Sequence, residues 1–180
     1  FAMQVALAAL WRSWGIVPEA VAGQSLGEVA AAYTAGALSL EDAVKIAYYR
    51  SWLLIRVAGK GMAAAVGLSR AEMLPLLAPF AGQVGIAGSS SPTSCVISGE
   101  PEVLGECLRM LESKNIFCRL LVNVDAAAHS PHMEPLKGEL MAALSDLTPR
   151  QCDVPFFSTV TGVIMDGTSL DGAYWARNLR

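Results

Sequence analysis

The chain has 180 residues, a length that suits one domain or one domain with a small insertion. Hydrophobic residues make up 53% and charged residues 16%, which indicates a buried globular core and excludes a disordered chain. The net charge of -3 excludes an electrostatic basis for nucleic-acid binding, and no apolar run approaches the roughly 18 to 20 residues needed to cross a bilayer. We therefore expect neither a nucleic-acid nor a membrane partner. The four cysteines have no paired spacing, which indicates a reduced, cytoplasmic protein; they are Cys95, Cys107, Cys118 and Cys152.

The beginning of the chain predicts a helix, a strand and a second helix. Residues 1–14 contain few helix breakers and predict an apolar, buried helix. Residues 19–23 (EAVAG) are a short apolar run that enters a glycine, which is typical of a buried parallel strand. The alanines of residues 26–36 favour a helix that ends at Gly36. A tight strand-to-helix turn is therefore expected around Ser25.

A longer helix follows, and after it the character of the chain changes. Ser39 can cap a helix over residues 40–58, with Asp42 in the capping-box position. Residues 61–124 then predict the order β-α-β-β-α-β of a split βαβ unit. Residues 61–69 predict a strand and a turn, and 70–80 predict a helix interrupted by Pro75. The other predicted strands are 83–88, 93–99 and 116–124, a second helix is 101–115, and a turn lies at 89–92.

The fold class predicted from these elements is α/β. Residues 1–60 and 125–180 are expected to form a hydrolase-like core with a parallel sheet and a nucleophile elbow, to which 131–147 contribute a helix and 154–160 a strand. Residues 61–124 are expected to form an inserted ferredoxin-like subdomain. The chain starts in mid-helix at its first residue, so we expect a fragment of a longer protein.

Ser25 stands in the pattern G-x-S-x-G, between Gly23 and Gly27. A nucleophile elbow needs small residues on both sides because the turn is too tight for bulk. The same turn aims the backbone N–H of Leu26 and the N-terminus of the next helix at the position of an oxyanion. The pattern alone is weak, but the strand before it and the helix after it favour a nucleophile over an ordinary turn.

Other motifs extend the pattern to most of the chain. Residues 23–28 (GQSLGE) resemble the G-H-S-x-G-E signature of malonyl-CoA:acyl-carrier-protein transacylases and polyketide synthase acyltransferase domains, with Gln24 in place of the histidine. An arginine, Arg50, lies 25 residues after the serine, where that family has an arginine that grips the malonyl carboxylate. His129, 104 residues after the serine, is similar in position to the catalytic histidine. Near the end of the chain, residues 158–162 (STVTG) and 174–180 (YWARNLR) resemble later motifs of polyketide synthase acyltransferases.

The resemblance implies an acyl transfer with Ser25 as nucleophile and His129 as base, the histidine being oriented by a backbone carbonyl just beyond residue 180. It implies that Arg50 holds the acyl carboxylate and that Gln24 affects local packing. The implied partners are acyl-CoA, the phosphopantetheine of an acyl carrier protein, and neighbouring synthase domains, with no bound cofactor and no metal. We expect the three side chains to meet in a cleft between the larger and the smaller lobe.

The chemistry of these residue types supports the same roles. A serine hydroxyl needs a base within hydrogen-bond reach, and the chain has only two histidines, His129 and His132. An arginine offers a carboxylate planar bidentate donors, although by residue pattern alone a solvated or ion-paired Arg50 is favoured. His132 is interpreted as a surface or locally hydrogen-bonded residue because no further ligands complete a metal site. Asp125 is interpreted as a strand-end residue.

The acyl group is not resolved by the sequence. The family's selectivity motif reads Ala126-Ala127-Ala128-His129 here, which matches neither the malonyl pattern H-A-F-H nor the methylmalonyl pattern Y-A-S-H. Ala128 leaves room for an α-methyl branch, whereas Leu26 is similar to the malonyl type. We therefore predict a permissive substrate site that takes malonyl and methylmalonyl units, with Gln24, Leu26, Arg50, Ala126 and Ala128 as binding residues.

Two alternatives remain open at this point. One is a serine esterase or thioesterase of the α/β-hydrolase type, although such enzymes have no use for a carboxylate-binding arginine. The other is an inactive docking remnant, because the family has a further strand bearing GQG that supplies part of the oxyanion hole, and these 180 residues contain no such sequence.

Overall fold

The computed structural model describes residues 1–122, 124 and 126–180. Asp125, predicted to end a strand, lies outside the described residues. The chain divides into two compact units, the first formed by 1–52 with 138–179, and the second by 53–137 with Arg180. The predicted domain boundaries at 60/61 and 124/125 stay a prediction.

The described residues form seven α-helices and seven strands. The helices are α1 (Ala2–Ser13), α2 (Leu26–Thr34), α3 (Leu40–Ile55), α4 (Arg70–Leu76), α5 (Pro101–Ser113), α6 (Lys137–Ala143) and α7 (Gly172–Leu179). The strands are β1 (Val21–Ala22), β2 (Met62–Val66), β3 (Val84–Ser91), β4 (Ser94–Gly99), β5 (Cys118–Leu120), β6 (Phe156–Phe157) and β7 (Ile164–Met165). Short 3-10 helices lie at Ala78–Phe80, Pro131–Leu136 and Gly167–Ser169. None of the described helices is both long and apolar enough to span a membrane.

The first unit has a three-stranded sheet in the order β1-β6-β7. A parallel sheet was predicted for this unit. β1 pairs with β6 in parallel, but β6 pairs with β7 antiparallel. The sequence did not indicate β7. It follows a tight turn in which Gly162, at φ +77°, lets the chain fold back on β6. The core of this unit includes Val29, Ala32, Ile46, Phe156, Tyr174 and Trp175.

Helices α2 and α3 begin and end close to the predicted positions. Gly36 at φ +85° follows the last residues of α2, a conformation that glycine adopts at little cost. The hydroxyl of Ser39 accepts a hydrogen bond from the backbone N–H of Asp42 at 3.0 Å, which is the predicted cap of α3. Helix α1 is also close to its predicted position, but the expectation that it is buried is wrong, because none of its residues is buried.

The second unit has a four-stranded sheet in the order β3-β4-β2-β5, and every pair is antiparallel. Along the chain its elements follow as β2, α4, β3, β4, α5 and β5. Its apolar core includes Ala64, Val66, Met73, Val84, Ile97, Leu104 and Leu111. The sheet and the two helices therefore enclose a core of their own.

Several predicted elements of this region and the next were wrong in extent. The serines predicted as a turn at 89–92 belong to β3, which continues to Ser91 because the Ser91 and Ser94 hydroxyls bond each other at 2.9 Å across the hairpin. The predicted helix 131–147 is a 3-10 helix up to Leu136, and only then α6. Pro135 has no N–H to donate to an α-helical hydrogen bond, which favours the tighter start. The predicted strand 154–160 is reduced to β6.

Candidate active site

Ser25 forms the turn that joins β1 to α2. Its backbone is at φ 55° and ψ -119°, a conformation that residues with a side chain seldom adopt. A Cβ atom on Gly23 would overlap the carbonyl oxygen of Gly27, so no side chain fits at residue 23. A Cβ on Gly27 would meet only the end of the flexible Gln4 side chain, at 3.3 Å. The turn thus demands glycine strictly on one side of Ser25 only.

Leu26 is the first residue of α2, so its N–H has no carbonyl one turn earlier to bond. The Ser25 hydroxyl does not cap the helix. Gln24 is exposed, and its carbonyl oxygen accepts from the Gly27 N–H at 2.8 Å. The geometry leaves a backbone donor at the helix start beside the serine, which suits an oxyanion.

Arg50 lies on α3 with 1% of its surface exposed. Its Nη2 donates to the Ser25 hydroxyl oxygen at 3.0 Å. Burial lowers the pKa of Arg50 to about 10, and the charge of Glu28 opposes that effect. Within the described part of the chain, Arg50 Nε has no hydrogen-bond partner. Residue pattern alone favoured a solvated or ion-paired Arg50, and the solvated form is wrong because the side chain is buried. Its Nε is a donor that no described residue uses.

Glu28, the last residue of GQSLGE, is also fully buried. Its carboxylate accepts hydrogen bonds from the backbone N–H of Thr159 at 2.7 Å, from the Tyr174 hydroxyl at 2.8 Å and from the Asn178 amide. The sequence motif included Glu28 but did not indicate a role for it. The sequence did contain one indication of a role for Glu28, namely a charged residue one turn after the serine in a mostly apolar helix.

His129 lies in the second unit, on a loop that hydrogen bonds hold in place. It is partly buried, with φ +60°. Its carbonyl oxygen accepts from Arg180 Nη1 at 2.6 Å, and the carbonyl of Ala128 accepts from the Ser98 hydroxyl at 2.6 Å. Arg180 is also in contact with a carboxylate oxygen of Glu134, at 3.1 Å from its Nε. Nothing in the sequence singled out Ser98 or Arg180 as supports of the histidine.

Two glycines of the second unit allow this loop to approach the sheet. A Cβ on Gly61 would overlap the backbone N of Ala127, which is itself buried. A Cβ on Gly85 would come within 2.8 Å of the Pro131 ring. The proposed acyl-binding residues Ala126 and Ala128 flank Ala127 and are partly buried.

His132 lies close to a carboxylate, with its Nε2 3.4 Å from Glu100 Oε1. Across the described ranges, no group of three or more His, Cys, Asp or Glu side chains is arranged to hold a metal ion. The local partner agrees with the interpretation of His132 as a locally bonded residue. Of the predicted site residues, the first unit thus contains Ser25 together with Arg50, and the second contains His129.

Comparison with known proteins decides the family. A family model described as "Acyl transferase domain" matches residues 1–180. The chain belongs to this family. The resemblance drawn from GQSLGE and the later motifs is confirmed, and the acyl transferase is favoured over the esterase alternative.

The curated relatives of this acyl transferase domain are polyketide synthases. The chain is 46% identical to the spectinabilin polyketide synthase system protein NorC of Streptomyces orinoci, over all of this chain and 8% of that protein. It is 45% identical to erythronolide synthase EryA2 of Saccharopolyspora erythraea, over all of this chain and 5% of that protein. The chain therefore spans less than a tenth of the length of these relatives.

Solved structures of similar domains share the fold. The acyltransferase domain from module 8 of the salinomycin polyketide synthase is 42% identical, with a TM-score of 0.94 over 99% of this chain and 42% of that one. A malonyl CoA-acyl carrier protein transacylase from Coxiella burnetii is 28% identical, with a TM-score of 0.88 over 98% of this chain and 58% of that one. The predicted α/β class is confirmed.

Proposed function

We propose that this chain carries the nucleophile and the carboxylate-binding residue of an acyltransferase that loads extender units in polyketide synthesis. The acyl group is of the malonyl type, the donor is its coenzyme A thioester, and the acceptor is the phosphopantetheine thiol of an acyl carrier protein. One observation carries the proposal: a buried arginine, Arg50, donates to the hydroxyl of Ser25 at 3.0 Å in a strained strand-to-helix turn. Membership of the acyl transferase family supports it.

The proposed reaction has two half-reactions. In the first, the base His129 takes the Ser25 hydroxyl proton, and Oγ attacks the thioester carbonyl while the Leu26 N–H stabilises the oxyanion. The C–S bond breaks, and the coenzyme A sulfur leaves with the proton from His129. In the second, His129 takes the proton of the carrier thiol, whose sulfur attacks the acyl-serine ester. The Ser25 oxygen leaves and regains a proton.

Arg50 has a role before and after acylation. In the free chain its cation lies next to the Ser25 oxygen, which favours loss of the hydroxyl proton. Once Oγ is part of an ester it is a weaker acceptor, and the same N–H is released for the free carboxylate of the acyl group. A charge-assisted pair in this buried position is stronger than one in water, which favours dicarboxylic over uncharged acyl units.

The finer fold assignments belong to the same proposal. We propose that the first unit is a hydrolase-like core, supported by the parallel pairing of β1 with β6 and by the elbow at Ser25. The second unit is proposed to be ferredoxin-like, supported by its βαββαβ order and by the sheet order β3-β4-β2-β5.

Intact-mass labelling tests the proposed function. The acyltransferase domain that contains these residues is incubated with malonyl-CoA, and we expect a mass gain of one malonyl group. The gain is absent in Ser25→Ala, because the nucleophile is lost, and present in the matched control Ser145→Ala, which changes an exposed serine. Transfer to an added carrier protein is expected to remove the label.

Two results would contradict the proposal. Rapid release of free malonate without a carrier protein would indicate a hydrolase. No labelling of Ser25 by malonyl-CoA or methylmalonyl-CoA would indicate a docking remnant without transferase activity.

The permissive acyl site is a further part of the proposal. Ala128 is partly buried on the histidine loop, and its side chain is smaller than the phenylalanine of the malonyl pattern. We expect Ala128→Phe to shift the kcat/KM ratio of malonyl-CoA to methylmalonyl-CoA about tenfold or more towards malonyl-CoA, because a crowded methyl group is worth about 1 to 3 kcal/mol. Competition labelling with both thioesters measures the ratio. The exposed, conservative control Val163→Ala is expected to leave it unchanged.

A further inference from the structure

Glu28 is a buried carboxylate for which the proposed reaction has no use. It lies on α2 three residues after Ser25, with 0% of its surface exposed. Burying a carboxylate is costly unless it is hydrogen-bonded or paired with a cation. Its retention in the core therefore calls for partners, and these partners determine what it does.

Three donors surround the carboxylate, and all of them belong to the first unit. Oε1 accepts from the Thr159 N–H at 2.7 Å and from the Tyr174 hydroxyl at 2.8 Å, and Oε2 accepts from the Asn178 amide. Burial raises the pKa of Tyr174 well above its usual range, so this hydroxyl keeps its single proton and donates it to Glu28. Charge-assisted bonds of this kind are stronger than bonds between neutral groups.

Two of these donors also hold the backbone around the nucleophile. The Asn178 amide nitrogen donates to the carbonyl of Ser25 at 3.4 Å. The Thr159 hydroxyl donates to the carbonyl of Gly23 at 3.1 Å. The carboxylate thus orders two residues that bind the turn on both sides of Gln24. Such support matters because the Ser25 backbone conformation is unfavourable and persists only where surrounding contacts determine it.

The same carboxylate balances a charge. Arg50 is buried next to Ser25, and the negative charge of Glu28 favours the protonated guanidinium against the effect of burial. Glu28 therefore acts on the nucleophile by two routes, through the backbone of the turn and through the cation that contacts Oγ.

We infer that Glu28 is a positioning residue of this active site: through Asn178 it holds the Ser25 turn in its reactive conformation. This inference rests on the proposed role of Ser25 as nucleophile. Glu28 does not touch the reacting atoms. Its effect is on the rate of acylation and not on the binding of coenzyme A.

Glu28→Gln is the first test, and the structure predicts how it acts. The glutamine oxygen can still accept from Thr159 and Tyr174, but its NH₂ group would face the Asn178 NH₂ group. Among the described residues, the Asn178 Oδ1 has no hydrogen-bond partner. The Asn178 amide can therefore rotate to accept from the glutamine. The Ser25 carbonyl then keeps the bond from the backbone N–H of residue 28, at 3.1 Å, but loses the bond from Asn178 that ties the turn to α7.

The measurement uses two labels on the full acyltransferase domain. Malonyl-CoA reports the proposed reaction, and a fluorophosphonate, from which the serine oxygen displaces fluoride, reports the nucleophile alone. We expect Glu28→Gln to slow both labelling rates about 10- to 100-fold at saturation, with the KM for malonyl-CoA changed less than threefold. Asn178→Ala, which removes the link to Ser25 and keeps the carboxylate, is expected to slow both rates similarly. The control Glu19→Gln, at an exposed position, is expected to match the wild type.

A double variant separates positioning from stability. In Glu28→Gln with Asn178→Asp, the new carboxylate accepts from the glutamine NH₂ group and returns a negative charge to the buried cluster, which offsets the buried Arg50 cation. The melting temperature is therefore expected to recover relative to Glu28→Gln. The hydrogen bond from residue 178 to the Ser25 carbonyl is still absent, so the fluorophosphonate rate is expected to stay low. If the rate recovers together with the melting temperature, or if neither single variant slows fluorophosphonate labelling, the inference is wrong.

The two labels also distinguish this inference from the proposed function. A wild-type domain that reacts with the fluorophosphonate at Ser25 but not with malonyl-CoA would overturn the proposed acyl transfer, while the effect of Glu28→Gln on the fluorophosphonate rate would still decide the role of Glu28. A wild-type Ser25 that reacts with neither label would overturn both.

Discussion

Arg50 is unusual among arginines in that its side chain has almost no exposed surface and donates a hydrogen bond to a serine hydroxyl. Two effects act on its proton. Burial lowers the pKa of Arg50 and is the larger effect. The negative charge of Glu28 raises the pKa, and the result is a value of about 10. The guanidinium is therefore protonated at neutral pH but loses its proton at a lower pH than an exposed arginine does.

This value predicts a pH dependence for the proposed substrate. A cation with a lowered pKa loses its charge as the pH rises, so the kcat/KM for malonyl-CoA is expected to fall as the pH rises through about 10, the pKa in the free enzyme. Acetyl-CoA has no free carboxylate and is expected to label slowly. Its labelling rate is expected to decrease less as the pH rises, because it does not depend on a carboxylate bound by charged Arg50. Initial labelling rates measured from neutral pH to above pH 10 give both profiles. Parallel profiles for the two thioesters would contradict a carboxylate-binding role for Arg50.

At the scale of elements, the turn between β1 and α2 and the loop of His129 are both held by close backbone packing. The first requires Gly23, and the second requires Gly61 beneath Ala127. In each case the neighbour that a Cβ would meet is backbone, which cannot move aside as a side chain can. Rigid elements thus hold the segments that carry the proposed chemistry.

The asymmetry of the turn gives a matched pair of substitutions. Gly23→Ala is expected to destabilise the fold by about 1–3 kcal/mol or more and to abolish labelling of Ser25, because its Cβ would overlap the Gly27 carbonyl. Gly27→Ala is expected to change stability by less than about 1 kcal/mol, since it meets only the Gln4 side chain and lies in a helix that favours alanine. Thermal unfolding and labelling compare the two. Equal losses in both variants would show that the two glycines are equally required.

At the scale of the whole molecule, α1 stands out because it buries none of its residues. Large apolar side chains of this helix, and of Trp14 directly after it, are between 43% and 79% exposed, namely Met3, Leu7, Leu10, Trp11 and Trp14. Soluble proteins rarely expose contiguous apolar surfaces of this kind. The Arg12 side chain donates a hydrogen bond to the Thr34 carbonyl and so links this helix to α2.

We expect residues 1–180, produced alone, to self-associate in a concentration-dependent manner because this helix exposes apolar surface to water. Replacing Met3, Leu7 and Trp14 by glutamate is expected to reduce the association, whereas replacing the already polar Gln4 by glutamate is not. Sedimentation over a range of concentrations measures the effect. A monomer at all concentrations in the unchanged chain would contradict the expectation.

The sequence by itself determined the family, the α/β class, most of the helices and the turn at Ser25. These depend on local chemistry: a tight turn needs glycine, a helix start needs a cap such as Ser39, and a motif of six residues keeps its meaning wherever it lies. Element lengths were less predictable, as β3 shows, because cross-strand pairing extended it through serines that locally favour a turn.

Only the tertiary structure decided which side chains support the site. Glu28 meets Thr159 and Tyr174, which are 131 and 146 residues further along the chain, and Arg180 meets the carbonyl of His129. The residue pattern of α3 favoured a solvated or ion-paired Arg50, whereas packing buried it against Ser25. The physical reason is that the free energy of a buried charge depends on partners brought close by folding, and the spacing of residues along the chain does not contain that information.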